Sequence, residues 1–89
     1  MKIKDGFTLR SVCGEHIVIG EGLAQVNYNK IISLNDSAAF LWEKVQGRGF
    51  SIGDLVTLLT DEYDVSVERA QEDVIKMVTS WQQLGLIEE

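Results

Sequence analysis

The sequence predicts an α+β fold, a small winged-helix-like domain with a three-stranded antiparallel sheet followed by three helices. Two patterns predict it. Apolar and polar residues alternate in the first third of the chain, as in half-buried strands, whereas apolar residues recur at three- and four-residue spacing in the rest, as in amphipathic helices. Because three short strands are not stable alone, we expect the helices to cover one face of the sheet. The length of 89 residues fits a single domain spanning residues 1–89.

Three strands are predicted in the first 34 residues. Residues 7–12 alternate apolar and polar side chains, and the turn that follows contains Gly14, which tolerates a positive φ. The return strand, residues 16–19, is rich in β-branched side chains that suit a pleated surface. A third strand covers residues 30–34. The pattern leaves open whether residues 23–26 add a further short strand.

Three helices are predicted next, each with a start signal. Asn35 or Asp36 can accept hydrogen bonds from the free N–H groups of the first helix. Ser51 opens the second helix, and Asp54 three residues later completes a capping box. Ser66 caps the third helix. The apolar face of the second helix is predicted to be buried and comprises Ile52, Leu55, Val56 and Leu59.

The third helix has an apolar stripe wider than a small sheet needs. The stripe runs over about five turns and comprises Val67, Ala70, Val74, Met77, Val78, Trp81 and Leu84. Ile75 lies apart from it. Two interpretations stay open: either the whole stripe is core and Ile75 is an isolated exposed residue, or part of the stripe contacts a partner.

The charge distribution argues against nucleic acid. The chain carries 14 acidic and 8 basic residues, a net charge of −6, and eleven of the acidic residues lie in residues 35–89. The predicted helices would therefore be repelled by phosphates, whose neutralisation drives nucleic-acid binding. A winged-helix DNA-binding transcriptional regulator nevertheless stays as the alternative function, and a structural subunit of a larger enzyme is a third possibility.

Catalytic and metal sites are not predicted. The chain has one cysteine, Cys13, and one histidine, His16, which flank a predicted hairpin turn without walls to exclude water. Zinc would need about four such ligands. We therefore expect no catalytic residue, no metal and no cofactor. A lone cysteine and the lack of a signal-like or membrane-spanning apolar run predict a cytoplasmic protein without a membrane partner.

A peptide- or protein-binding role is predicted instead. If the strand at residues 30–34 lies at a sheet edge, its unpaired N–H and C=O groups can receive a further strand from a partner. The wide apolar stripe of the third helix would supply side-chain contacts to the same partner.

The segments LNDSAAFLW at residues 34–42 and SIGDLV at residues 51–56, separated by Gly47, resemble the PqqD family. The family pattern is a Leu-Asn-x-(Ser/Thr)-x-Ala helix start, an apolar/Trp pair, a glycine and a Ser/Thr-(Val/Ile)-x-(Asp/Glu)-Leu-(Val/Ile) helix. The resemblance covers nearly the whole chain. Its motifs are mostly caps and core positions, so they specify the fold better than the activity.

The resemblance implies a recognition element for ribosomally synthesised and post-translationally modified peptides (RiPPs). Such domains bind the leader of a precursor peptide as an added strand and present it to a modifying enzyme, such as a radical SAM protein, a cyclase or a peptidase. Carried over to this chain, it implies that the pairing backbone comprises Lys30, Ile31, Ile32 and Ser33. It also implies an apolar floor and a polar wall, comprising Val74 and Met77, and Arg69 and Asp73.

Overall fold

A computed structural model describes residues 1–20 and 31–88. Its elements are β1 (Lys2–Ile3), β2 (Phe7–Val12), β3 (Glu15–Gly20), β4 (Ile31–Leu34), α1 (Asp36–Val45), α2 (Ile52–Glu62), α3 (Val67–Gln83) and β5 (Ile87–Glu88). The predicted α+β class is confirmed, because an antiparallel sheet of order β2-β3-β4 precedes three helices. Lys30 and the undecided segment 23–26 lie outside the described residues.

The β2–β3 hairpin closes through a two-residue loop. Val12 pairs with Glu15, so that Cys13 and Gly14 alone form the turn. Their φ angles are +52° and +81°, and two positive φ values are what a type I′ turn requires. The freedom of Gly14 was predicted; the left-handed conformation of Cys13 was not, because a residue with a side chain adopts it at a cost.

The helix starts follow the predicted capping. Asn35, rather than Asp36, is the N-cap of α1, and its Oδ1 accepts a bond from the helix backbone at 2.8 Å. Ser51 and Asp54 form the reciprocal capping box of α2. Ser66 caps α3 with a single bond, which its Oγ accepts from the backbone N–H of Arg69 at 3.2 Å. Within the described ranges, no helix is long and apolar enough to cross a membrane.

The core lies between the sheet and the three helices, and its centre is aromatic. Trp42 of α1 and Trp81 of α3 are buried and meet edge to face, with ring centroids 5.2 Å apart. Gln46 joins the helices to the sheet: its Oε1 accepts a bond from Trp42 Nε1 and its Nε2 donates to the carbonyl of Phe7 at 2.9 Å. The α1 helix is therefore joined to the sheet by both packing and hydrogen bonds.

Ile52, predicted to be buried, is exposed instead, and so is Val67 of the apolar stripe, for which burial was left open. Ile52 and Val67 were assigned to the apolar faces of α2 and α3, but both side chains are exposed. Each is the first residue of its helix and precedes the first buried residue, Leu55 or Ala70, by three positions. Their side chains therefore lie beyond the packed length of the helix.

A second, two-stranded sheet was not predicted. Lys2 and Ile3 of β1 pair with Glu88 and Ile87 of β5, and the apolar residues Leu86 and Ile87 are buried. Strands of two residues are too short to show a period of two in the sequence. This sheet holds the two ends of the described chain together, on elements separate from β4.

Candidate functional site

The outer edge of β4 is the first component of the site. In the described part of the chain β4 pairs with β3 alone, in a register from His16↔Leu34 to Ile19↔Ile31. Alternate residues of an antiparallel edge strand direct their N–H and C=O groups away from the neighbouring strand. Ile31, at the start of β4, is 61% exposed. Among the described residues, β4 thus presents a backbone edge that is open to pairing.

A groove between β4 and α3 is the second component. Its volume is about 410 Å³, and we call it the α3 groove. Ser33, Leu34 and Asn35 form its wall on the sheet side. Leu41 and Leu59, from the first two helices, lie at its floor. Since Ser33 and Leu34 belong to β4 itself, the groove opens directly beside the free strand edge.

The wall of the groove on the other side is one face of α3. It comprises Asp73, Val74, Lys76, Met77, Ser80 and Trp81. These positions follow three- and four-residue spacing, so they lie on one side of the helix. Polar and charged side chains at the rim stand above apolar ones at the base. The groove can therefore hold an apolar side chain and hydrogen-bond its neighbours at the same time.

Four residues that the family resemblance implies for the site lie together at this groove. Ser33, Asp73, Val74 and Met77 all line it. Val74 is only 1% exposed and lies beneath the surface, whereas Met77 is half-buried and accessible to a ligand. The more accessible part of the predicted apolar floor is therefore Met77.

The other predicted site residues lie around the groove rather than in its lining. Ile31 and Ile32 belong to β4. Arg69 lies one turn before Asp73, and its Nε is 3.6 Å from Asp73 Oδ2. Both partners of this pair are exposed, so the pair contributes under about 1 kcal/mol to stability. Lys30 lies outside the described residues.

Several lining residues were not predicted from the sequence. Lys76 and Ser80 follow Asp73 by three and seven positions, so helical spacing from Asp73 could have found them. Asn35 was identified only as a cap; its Oδ1 also accepts a bond from Ser37 Oγ at 3.1 Å, which shapes the corner between β4 and α1. No pattern in the sequence predicts that Leu59 lines the groove, because its position there depends on how α2 packs.

A small cluster of polar side chains around His16 lies beside Leu34, the last residue of β4. His16 Nε2 is 2.9 Å from Asp36 Oδ1, and His16 Nδ1 is 3.4 Å from Ser11 Oγ. Asp36 is 90% exposed and Ser11 is exposed as well, so water reaches both. We interpret the cluster as a surface link between β3 and the start of α1. Among residues 1–20 and 31–88, no group of three or more side chains could hold a metal ion.

Comparison with solved structures shows the same fold in two other proteins. One is described as "TbiB1 in Complex with the TbiA(beta) Leader Peptide": it is 17% identical, with a TM-score of 0.77 over 99% of this chain and 95% of that one. Another, "Lasso peptide synthetase B1 complexed with the leader peptide", is 22% identical, with a TM-score of 0.74 over 99% of this chain and 96% of that one.

Comparison with curated proteins gives no match. A family match, however, covers most of the chain and includes β4, the three helices and every residue that lines the α3 groove. The family is described as "Coenzyme PQQ synthesis protein D (PqqD)", and the match runs over residues 16–87. The resemblance seen in the sequence is thereby confirmed, and the chain belongs to the PqqD family.

Proposed function

We propose that this protein is a non-catalytic module that captures the leader segment of a ribosomally synthesised precursor peptide and presents it to a separate modifying enzyme. One observation carries the proposal: an open strand edge and an apolar-floored groove lie side by side, and both involve β4. Strand addition needs this combination, because the backbone edge supplies affinity while the neighbouring pocket selects side chains.

The proposed binding mode uses the backbone of residues 30–33 as the pairing edge. The leader would lie along β4 as a further strand, with every second side chain directed towards α3. Met77, with Val74 beneath it, would meet an apolar side chain of the leader. Arg69 and Asp73 would form the polar wall at the rim.

The expected affinity is moderate. Four backbone hydrogen bonds contribute about 2–6 kcal/mol, and two buried apolar side chains of the leader add about 3–6 kcal/mol. Ordering a flexible peptide removes part of this gain. A dissociation constant around micromolar, near −8 kcal/mol, is the expected result. Such an affinity suits a carrier that releases its peptide to an enzyme.

The two solved relatives support this proposal. Both are described as complexes with a leader peptide, and one as a lasso peptide synthetase component. For this chain, we infer a partner enzyme of the radical SAM, cyclase or peptidase class, which would supply the chemistry together with any cofactor. The cytoplasmic location stays a prediction.

DNA binding is not favoured by any observation on the described residues. A recognition helix needs basic side chains around it to neutralise phosphates. The α2 helix carries Asp54, Asp61 and Glu62 without a basic residue, and α3 has one more acidic than basic residue. Titration with a labelled duplex across a salt series would detect DNA binding, which falls steeply as salt rises.

Selection from a displayed library of random 15-residue peptides tests the proposal. The wild-type protein should enrich peptides that bind the purified chain with about micromolar Kd. The fluorescence of Trp81, which lines the groove, provides the titration signal. Failure to enrich any peptide over a bare support would overturn the proposal.

A matched pair of variants on α3 locates the binding site. Met77→Glu places a charge in the groove, and it should weaken binding of a selected peptide about tenfold or more, since an unpaired charge would be buried against the ligand. Ile75→Glu makes a comparable change at an exposed position outside the lining, and it should leave the Kd unchanged. Circular dichroism checks that both variants fold. Equal losses in the two variants would contradict binding in the groove.

A further inference from the structure

We propose that Lys76 selects an acidic side chain in the bound peptide, two residues away from the apolar side chain that enters the α3 groove. This inference rests on the proposed function and specifies the substrate class: an extended segment that contains an apolar and an acidic residue on the same face. It concerns a residue that neither the motifs of the sequence nor its apolar stripe singled out.

Lys76 lies in the middle of the groove wall. It follows Asp73 by three residues and precedes Ser80 by four, and all three line the groove. Residues at these spacings are neighbours on the surface of a helix. Lys76 itself is exposed, so its ammonium group is accessible to a ligand that lies along β4.

The two charged residues of the groove lining differ in whether they have an ion-pair partner. Two charged residues line the groove, Asp73 and Lys76. Asp73 already has a cationic partner, since Arg69 Nε lies 3.6 Å from its carboxylate. Lys76 takes part in no ion pair within the described ranges, and Glu72, one turn earlier on α3, does not line the groove. Lys76 is therefore the charged lining residue that remains available to pair with an acidic side chain of the ligand, in a chain whose net charge is −6.

The geometry of a strand sets the spacing of the two ligand side chains. Side chains two residues apart point to the same face and are separated by about 6.6 Å. Lys76 directly precedes Met77 on α3, so the two residues are only about 1.5 Å apart along the helix axis, and both line the groove. A ligand whose apolar side chain meets Met77 therefore brings the next side chain on that face within reach of the long, flexible stem of Lys76. The acidic residue can precede or follow the apolar one, depending on strand direction.

A basic side chain of the ligand would be disfavoured at the same position. It would approach the ammonium group of Lys76, and it would compete with Arg69 for Asp73, the acidic side chain of the groove lining. Like charges placed close together are unfavourable, and this discriminates against the wrong partner more than it adds affinity for the right one. We therefore expect Lys76 to act mainly by discriminating against leader sequences that carry a basic residue at this position.

Parallel selections with the wild type and with Lys76→Glu test the inference. The random 15-residue library is selected on each protein, and the enriched sequences are aligned on their apolar residue. The wild type should enrich Asp or Glu two positions from that residue, and Lys76→Glu should enrich Lys or Arg at the same place. Lys4→Glu makes the same charge change at an exposed position outside the groove, and it should give the wild-type preference.

The affinities of individual peptides complete the test. Lys76→Glu should weaken the binding of an acidic peptide selected on the wild type about tenfold at low salt. Replacement of the peptide's acidic residue by lysine should restore the affinity for the variant. Two outcomes would overturn the inference and leave the proposed function intact. In one, the wild type enriches peptides without a preference for an acidic residue; in the other, Lys76→Glu shows the same acidic preference as the wild type. If neither protein enriches peptides, the proposed function fails and the inference with it.

Discussion

Val74 and Met77 lie one turn apart on α3, yet they serve different purposes. Val74 is 1% exposed and packs in the core, whereas Met77 is half-buried at the surface of the groove. Because Met77 is unbranched and flexible, it can adapt to apolar side chains of different shape. At the scale of single residues, the apolar stripe of α3 therefore contains both core residues and a groove residue, Met77, which we propose contacts the ligand. This division agrees with the second interpretation of the stripe, in which part of it contacts a partner, and that contact stays a prediction.

The turn residue Cys13 gives a stability prediction at the same scale. Its φ of +52° is costly for a residue other than glycine, asparagine or aspartate. Cys13→Asn should therefore raise the free energy of unfolding by about 1 kcal/mol, because Asn-Gly is a favoured type I′ turn. Urea unfolding measures the change. Cys13→Ala provides the control, since alanine gains no such preference. A midpoint for Cys13→Asn at or below that of the wild type would contradict the turn assignment.

At the scale of elements, the junction between β4 and α1 combines folding with recognition. Asn35 caps α1 and also lines the α3 groove. The cap of α2, Ser51, does not line the groove. The two caps are chemically similar, but only one of them lies where a peptide would bind. A comparison between them separates helix stability from ligand binding.

Substitution of each cap by alanine tests this separation. Asn35→Ala and Ser51→Ala should each lower the free energy of unfolding by about 1 kcal/mol, since each removes a side-chain acceptor for the first turn of a helix. Only Asn35→Ala should also weaken binding of a selected peptide in a fluorescence titration. Equal effects of the two variants on binding would indicate that the loss reflects stability alone.

At the scale of the whole molecule, the fold was largely predictable and the site only in part. Capping residues such as Ser51 and Ser66 gave the helix starts, since caps depend on local sequence. The pairing of β1 with β5 could not be foreseen, because it joins residues far apart in sequence. Helical spacing from Asp73 could have found Lys76, but the contact of Arg69 with Asp73, on which the proposed role of Lys76 depends, is seen only in the three-dimensional structure.

At the same scale, the acidic excess of the chain lies outside β4, the proposed docking edge. The acidic excess lies in residues 35–89, which include the three helices. The strand β4 lies before them, at the end of a slightly basic first part of the chain. Within the acidic half, Lys76 places a positive charge beside the groove. The distribution disfavours a polyanion across the helices and still permits an acidic peptide side chain at one defined place.

Amide hydrogen exchange of β4, measured by NMR with and without a selected peptide, tests strand addition most directly. If the peptide pairs with β4, the amides of alternate residues in Ile31–Leu34 should exchange at least about tenfold more slowly in the complex, because each donates a new hydrogen bond. The Met77→Glu variant, at the same peptide concentration, should show less protection. Saturating peptide binding without slower exchange in β4 would contradict strand addition.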